Sequence, residues 1–529
     1  MGDVCLASPD EFDVERDRTL RRLHGDGYEE ILRQLRDEKE AFEEKHLLSP
    51  HATTSSSSVG RIIEEEHKLD NRTDYARDRD RIIYSNAFYK LAGKTQVFIT
   101  PNNPLISTRM THVIQVAQVA RSLARALGLN EDLVEAMALG HDLGHSPFGH
   151  AGEEVLSRKC QEAGLPPFRH NEHSLRVVDT LEKNGKGLNL TWEVREGILC
   201  HDGESESENM APERKREFLD LYGLDDVELK KNPSTPEACL VRLCDRIAYA
   251  GKDIEDAIEA GLVKREEIPE EYASLLGNTN KKIMDTVVKD VVLNFLVFVK
   301  DFKEKNRREP NSQEVRIRIS PEIRAAVNGL IGDFNYPRIY MSKQNQTYIK
   351  QTSTMVSSLF DSFYNEARDA SMISGIKRLD DFLTEDEGDG LCEGLFSIFL
   401  SMSIGKAEDI AEEMRKAMGS NQPLETYESL PEETCVELKR LFAKASEEGE
   451  EGMDAIGKAL GAARLRIRKD NLLAREVHYF STYYFIQKMS DEYLAEASSA
   501  EVARDFLASL ADRTAISIFK RLNIPQSIV

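Results

Sequence analysis

Apolar residues recur along this chain at three- and four-residue steps, with almost no sustained two-residue alternation. That is the spacing of helices packed through one face. From Met110 to Leu127 the positions Val113, Val116, Ala117, Ala120, Leu123, Ala124 and Leu127 mark a buried face, and Gly128 predicts its end. Asn130 then supplies an N-cap and Glu131 and Asp132 an acidic first turn for a second helix reaching about His141. The short loop between them predicts an antiparallel pair that brings His112 close to His141 and Asp142.

Upstream, YEEILRQLRDEKEAFEEK has a charge-rich helical pattern, and the Ser-rich HATTSSSSVGR that follows reads as a flexible connector. Helical spacing resumes at Ile82, Ile83, Ala87, Phe88 and Leu91, with Gly93 as a stop. In CLVRLCDRIAYAGKDIEDAIEAGL, Asp245 interrupts the apolar run Leu240, Val241, Leu243, Ile247 and Ala248. A carboxylate there is costly unless it is paired or bound to metal. Tyr249 and Asp253 follow at four-residue steps along the same side. The apolar run from Val291 to Val299 is too short to span a membrane and predicts a buried helix. Only EVRIRIS, near Ile319, has the alternation of a strand or short hairpin. The expected fold class is therefore all-α.

The charge narrows the functions open to such a fold. Lys plus Arg number 70 against 93 Asp plus Glu, a net charge of -23, which disfavours general adhesion to nucleic acid or anionic membrane. An anionic substrate would need a local positive trap. The seven cysteines form no CxxC pair, so neither a zinc knuckle nor a disulfide framework is expected. With no apolar secretory stretch at the start, a cytoplasmic protein is expected.

The chemistry concentrates in histidine. Seven of the 12 histidines, His112, His141, His145, His150, His170, His173 and His201, fall within one stretch, and histidine is both the commonest metal ligand and the proton carrier near neutral pH. His141-Asp142 and Asp245, with His112, make a donor set acceptable to divalent first-row metals. Glu153 lies three residues after His150, near the start of a helix expected from about Gly149, where a carboxylate can orient the imidazole. A second His-Asp pair, His201-Asp202, precedes the acidic GESESEN tract and reads as part of an exposed loop.

The set H…HD…D resembles the HD-domain metal-dependent phosphohydrolases. RDRDRIIYSNAF, KTQVF, RMTH, HDLGHSPFGHAGE, HNEHSLR, REGIL and DRIAYAGKDIEDAIEAGL resemble, in order and style, the deoxyguanosine triphosphate triphosphohydrolase (dGTPase) family. The similarity of spacing begins at LLSPHATTSSSSVGR and ends at DFLASLADRTA. It departs at Tyr89-Lys90, where relatives often carry two arginines, and at LADR in place of MTDR. The resemblance implies an HD-type helical catalytic core over 71–375, preceded by a helical segment and Ser-rich loop over 1–70. An accessory helical region follows over 376–529, with the acidic 380–452 stretch a variable lobe, oligomer contact or regulatory surface.

It further implies that His112, His141, Asp142 and Asp245 bind one divalent metal, Mn2+ or Mg2+ first, with Fe, Co or Ni also admissible. His150 and Glu153 would handle the proton, and His145 and His170 would lie by the phosphates. Arg109, and as a further candidate Arg246, would bind phosphate oxygens, while Gln96, Tyr249 and Asp253 would surround a deoxyribose. The implied reaction converts a dNTP, dGTP favoured, to deoxynucleoside and intact triphosphate by water attack at the α-phosphorus. A homo-oligomer is expected, with a nucleotide or single-stranded DNA as a candidate effector and no membrane partner. Two alternatives stay open: another HD phosphohydrolase, acting on a monophosphate or cyclic dinucleotide, and a nucleotide-binding regulator without turnover.

Overall fold

The computed structural model describes residues 19–384 and 485–523, apart from 26, 65–70, 99–102, 203–208, 213–220, 224–231 and 487. The acidic 380–452 stretch therefore lies almost wholly outside the described residues. After α1 (Tyr28–His46) the chain does not form the flexible connector its serines suggest. Thr53 N donates to Glu237 Oε1 at 2.9 Å, Val59 N to Glu193 Oε1 at 2.8 Å and Ser58 Oγ to Glu193 Oε2 at 2.7 Å. Both glutamates are buried, and the loop supplies the donors that a buried carboxylate requires. Small polar residues serve here as hydrogen-bond partners to distant helices.

Helix α2 (Asp74–Ile83) leads to the central pair, α3 (Arg109–Leu127) and α4 (Glu131–Gly140). The predicted boundaries hold. Thr108 caps α3 in a reciprocal capping box with Thr111, Gly128 ends it at φ 70°, and Asn130 caps α4 by accepting from Leu133 N. Gly128 is required twice over, since a Cβ there would also lie 2.1 Å from Ser49 Oγ. Next come α5 (Gly149–Glu162), α6 (His170–Arg176), α7 (Trp192–Leu199) and α8 (Pro236–Glu259). Helix α8 starts at a Thr235 cap with proline in its first turn and runs through the core beside α3.

Helix α9 (Asn280–Asn306) corrects one expectation. Ile283, Val287, Val291 and Phe295 are buried, but Leu293, Leu296 and Val297 face outward and are exposed. The apolar run thus lies on a helix with one buried side and one exposed side, both carrying apolar residues, and is not a buried helix. Among the described residues, no helix is long and apolar enough to cross a membrane. The EVRIRIS segment does form a strand, β2 (Ile317–Arg318), but its antiparallel partner is β1 (Asn209–Met210), far back in the chain, rather than a local hairpin. With this one two-residue pair among the described residues, the fold is all-α.

A second apolar cluster joins α5 to the end of the chain. Phe148, Val155, Leu156 and Phe168 pack with Leu359, Phe360 and Phe363 of α10 (Lys343–Thr384) and with Phe506 and Leu507 of α11 (Ser499–Ala508). Asp512, at the start of α12 (Asp512–Asn523), accepts from Phe148 N at 2.9 Å and Thr95 N at 3.0 Å. Phe148 sits at φ 66°, which costs a non-glycine residue on the order of 1–2 kcal/mol. Its buried ring and the Asp512 bond offset that cost.

Lys94 is buried beneath the same junction, donating Nζ to the carbonyls of His145 and Ala508. Burial, with Lys90 and Arg109 nearby, pushes its pKa down to about 7. The unfolded chain holds this proton to about pH 10, so between those values it binds more protons than the folded state, and stability rises with pH. Urea unfolding from pH 7 to 10 should show that rise, and Lys94→Met should flatten it. An unchanged slope in the variant would rule Lys94 out as its source.

Candidate metal centre and active site

Four donor groups converge from three helices. His112 lies in the first turn of α3, His141 and Asp142 follow the last turn of α4, and Asp245 projects from the middle of α8. His112 Nε2 lies 2.9 Å from Asp245 Oδ1, and His141 Nε2 lies 3.6 Å from the same oxygen and 3.5 Å from Asp142 Oδ2. His141 Nδ1 donates to Ala138 O at 2.7 Å, which fixes the tautomer and turns the Nε2 lone pair toward the two carboxylates. That Nε2 is buried and has no hydrogen-bond partner. A buried polar atom left so is costly, and two imidazoles with two carboxylates fit a divalent cation.

The electrostatics agree. Burial raises the pKa of Asp142, but Arg109 and His141 outweigh it and hold the carboxyl well below its usual range. Asp245 is held low in the same way by His141 and His112 against its burial. Burial pushes His141 down, yet Asp142 and Asp245 bring it up to about 9. The cluster attracts positive charge.

Beside it stands a second cluster. Glu153 Oε1 accepts from His170 N at 2.7 Å and His170 Nδ1 at 2.9 Å, and His150 Nδ1 lies 3.3 Å from Oε2. Burial raises the Glu153 pKa, but His170 and these hydrogen bonds hold it far below the usual range. His150 is 77% exposed at its side chain, whereas His145 is fully buried with neither ring nitrogen hydrogen-bonded and Nε2 3.9 Å from Glu153 Oε2. His145 and His170 stack at 4.4 Å between centroids. Gly144 permits this arrangement: a Cβ there would lie 2.1 Å from Ser174 N, so only glycine lets the loop close on α6. Ser174 Oγ then bridges Gly144 N and His141 O.

Residues 109–250 match the HD domain. The chain is 42% identical over 331 residues to a deoxyguanosinetriphosphate triphosphohydrolase-like protein of Caldanaerobacter subterraneus subsp. tengcongensis, covering 63% of this chain and 83% of the relative. Proteins of the same description from Clostridium perfringens strain 13 and Bordetella pertussis are 38% and 35% identical, covering 63% and 61% of this chain and 85% and 86% of theirs. The chain belongs to this HD-domain family. The family's HD stretch begins at Arg109 and so contains the whole donor set.

The other expected residues are placed unevenly. Arg109 is buried and committed: Nη1 pairs with Asp142 Oδ2, and Nε donates to Thr95 O at 3.1 Å. Neither bond uses Nη2. Gln96 follows the Thr95–Thr108 bridge at the entry to α3, with its Oε1 buried and unpartnered. Asp253, two turns after Asp245, is buried and pushed up to about 7, mainly by burial. Tyr340 OH donates to its Oδ2, and its Oδ1 has no partner. Tyr249 is half-buried on the same side of α8. Arg246 instead bonds Asn328 Oδ1 at 3.0 Å.

His201 corrects the reading of the second His-Asp pair. It is buried, and its ring lies 4.8 Å from that of His141 and 5.3 Å from that of His170. The exposed, charged residue beside it, Asp202, and the acidic composition that follows obscured this. The repeated His-Asp dipeptide at a helix end was the available signal. Tyr340 had none, because its partner Asp253 lies 87 residues away in the chain.

Proposed function

We propose that this protein is a metal-dependent dNTP triphosphohydrolase, with dGTP the favoured substrate. What carries this reading is the adjacency of a four-ligand donor set to the His150-Glu153-His170 cluster, in a chain whose relatives bear the deoxyguanosinetriphosphate triphosphohydrolase-like description. His112, His141, Asp142 and Asp245 would hold the metal. When bound, a divalent cation acidifies water and polarises a phosphoryl oxygen. Arg109 neutralises Asp142 and offers Nη2 to a phosphate, and buried His145 and His170 line the phosphate path.

Attack at the α-phosphorus requires a proton for the departing 5′ oxygen. Glu153 engages His150 Nδ1, so Nε2 is the atom that delivers it. The unpartnered Gln96 Oε1 and Asp253 Oδ1 are acceptors suited to a sugar hydroxyl, and Tyr249 would fill the space a 2′ hydroxyl needs. We take the protein to be a cytoplasmic homo-oligomer, with a nucleotide or single-stranded DNA as candidate effector. Its described cysteines Cys160, Cys200, Cys239 and Cys244 are buried and form no disulfide, as a reducing compartment favours.

The test is product analysis with each of the four dNTPs and GTP, in Mn2+ and in Mg2+, with a chelator control. Deoxynucleoside plus intact triphosphate, abolished by chelation, is expected; orthophosphate would move the attack to another phosphorus, and pyrophosphate would mean that a bond other than the one to the 5′ oxygen breaks. His150→Ala should lower kcat by about 10²–10⁴-fold, the usual share of a general acid, with metal content unchanged. Full turnover in that variant would sink the assignment of the proton donor.

A further inference from the structure

Two helices of this chain each turn a stripe of large apolar side chains to solvent. On α1, Ile31, Leu35 and Phe42 are half exposed or more, and their spacing of four and seven residues sets them along one side. On α9, Leu293, Leu296 and Val297 are exposed to the same degree, opposite the side that carries Val291 and Phe295 into the core. Single exposed apolar residues are ordinary, but a contiguous stripe marks an interaction surface.

The charges of the two helices are opposite. Helix α1 carries seven acidic residues against four lysines and arginines, and α9 carries six lysines against four acidic residues. Within its own chain α1 rests on carboxylates. Burial, with Asp74 of α2 near Glu40 and Asp132 of α4 near Glu43, raises the pKa of both glutamates. On α9, Lys289 and Lys300 stand four residues before and after the exposed leucines. Each pairs with an exposed acid one turn away, Asp285 at 2.6 Å and Glu304 at 4.0 Å, and exposed pairs of that kind contribute little. His51, five residues after α1 ends, packs its ring 5.3 Å from that of Phe295. The end of α1 and the middle of α9 therefore lie together in one chain, as a two-fold axis requires if two contacts are to form around it at once.

We propose that each stripe is covered by the other stripe on a second copy of this chain, with α1 of one copy lying on α9 of the other and the reverse. The proposal deepens the reading of the protein as a homo-oligomer and rests on it. Pairing α1 with α1, or α9 with α9, buries one stripe per copy. The reciprocal pairing buries both, which moves the contact toward the ~800 Å² per partner of a stable interface. It also sets an acidic helix against a basic one, which neither like pairing does.

The test is sedimentation velocity of the full chain over a range of concentrations, with thermal unfolding of each variant as a check on folding. An even-numbered assembly is expected for the wild type. Phe42→Glu and Leu296→Glu should each raise its dissociation constant by about 30-fold or more, the scale of a central interface residue, with Tm held because both side chains are exposed. Chains carrying Leu35→Cys and Leu296→Cys, co-purified and oxidised, should join by a disulfide above the wild-type background, and neither should do so alone. A monomeric wild type would overturn the homo-oligomer and this interface together. An oligomer that both glutamate variants leave intact would overturn the interface alone. Cross-linking by either cysteine variant alone, or none in the mixture, would overturn the reciprocal pairing.

Discussion

Replacing Asp245 by Asn should strip the metal and lower turnover by about 10³-fold or more, the scale of the several kcal/mol that a metal's charge stabilisation supplies. Asp245 is the group that joins α8 to the α3–α4 pair: its Oδ1 faces His112 Nε2 at 2.9 Å and His141 Nε2 at 3.6 Å. Asn keeps the shape and leaves the apolar neighbours Leu243, Cys244, Ile247 and Ala248 in their buried places. It removes the negative charge that, with Asp142, draws a cation to two imidazoles. Metal analysis of the purified variant separates this from unfolding. A folded Asp245→Asn protein that keeps its metal would remove Asp245 from the ligand set.

Asp505→Ala should destabilise the protein by about 3–5 kcal/mol, the cost of breaking a buried ion pair by deleting one partner. Asp505 is fully buried and accepts from Arg176 Nε at 3.0 Å and Nη2 at 2.8 Å, from Arg504 Nε at 2.9 Å and from Tyr493 OH at 2.8 Å. Truncation leaves two guanidinium groups with only Glu501, at 3.8 Å from each, and deprives a phenol of its acceptor. Burial raises the Asp505 pKa, but Arg504 and Arg176 hold it far lower. A depressed carboxylate stabilises the fold fully above its unfolded pKa of about 3.9 and ceases to do so as pH falls further. Urea unfolding at pH 7 should show the full loss and at acid pH a smaller one. Because Arg176 ends α6, which begins at His170, kcat should fall as well. A variant within about 1 kcal/mol of wild type at pH 7 would show that Glu501 takes over the pairing of both arginines.

The end of the chain is therefore part of the site's support. Asp505 holds the far end of α6, and Asp512 holds the amide of Phe148 one residue before α5 begins. The DFLASLADRTA segment carries both carboxylates on successive helices. One segment thus fixes the helices that present His170 and His150.

Local chemistry determined much of this molecule from sequence alone. The spacing of Val113 to Leu127, the Gly128 stop and the Asn130 cap set two helices and their turn, and so brought His112 toward His141 and Asp142. Asp245 announced itself as a carboxylate in an apolar helical run. Such features are legible because helix periodicity, caps and left-handed glycines act over a few residues. Only the tertiary structure decided the rest. It pinned the Ser-rich stretch to Glu193 and Glu237, engaged Arg109 with Asp142, shared Glu153 between His150 and His170, and buried His201 against two other histidines. Each of these depends on which distant carboxylate or ring packing brings into reach, and the burial of a polar residue is set by elements that its own neighbours in sequence do not encode.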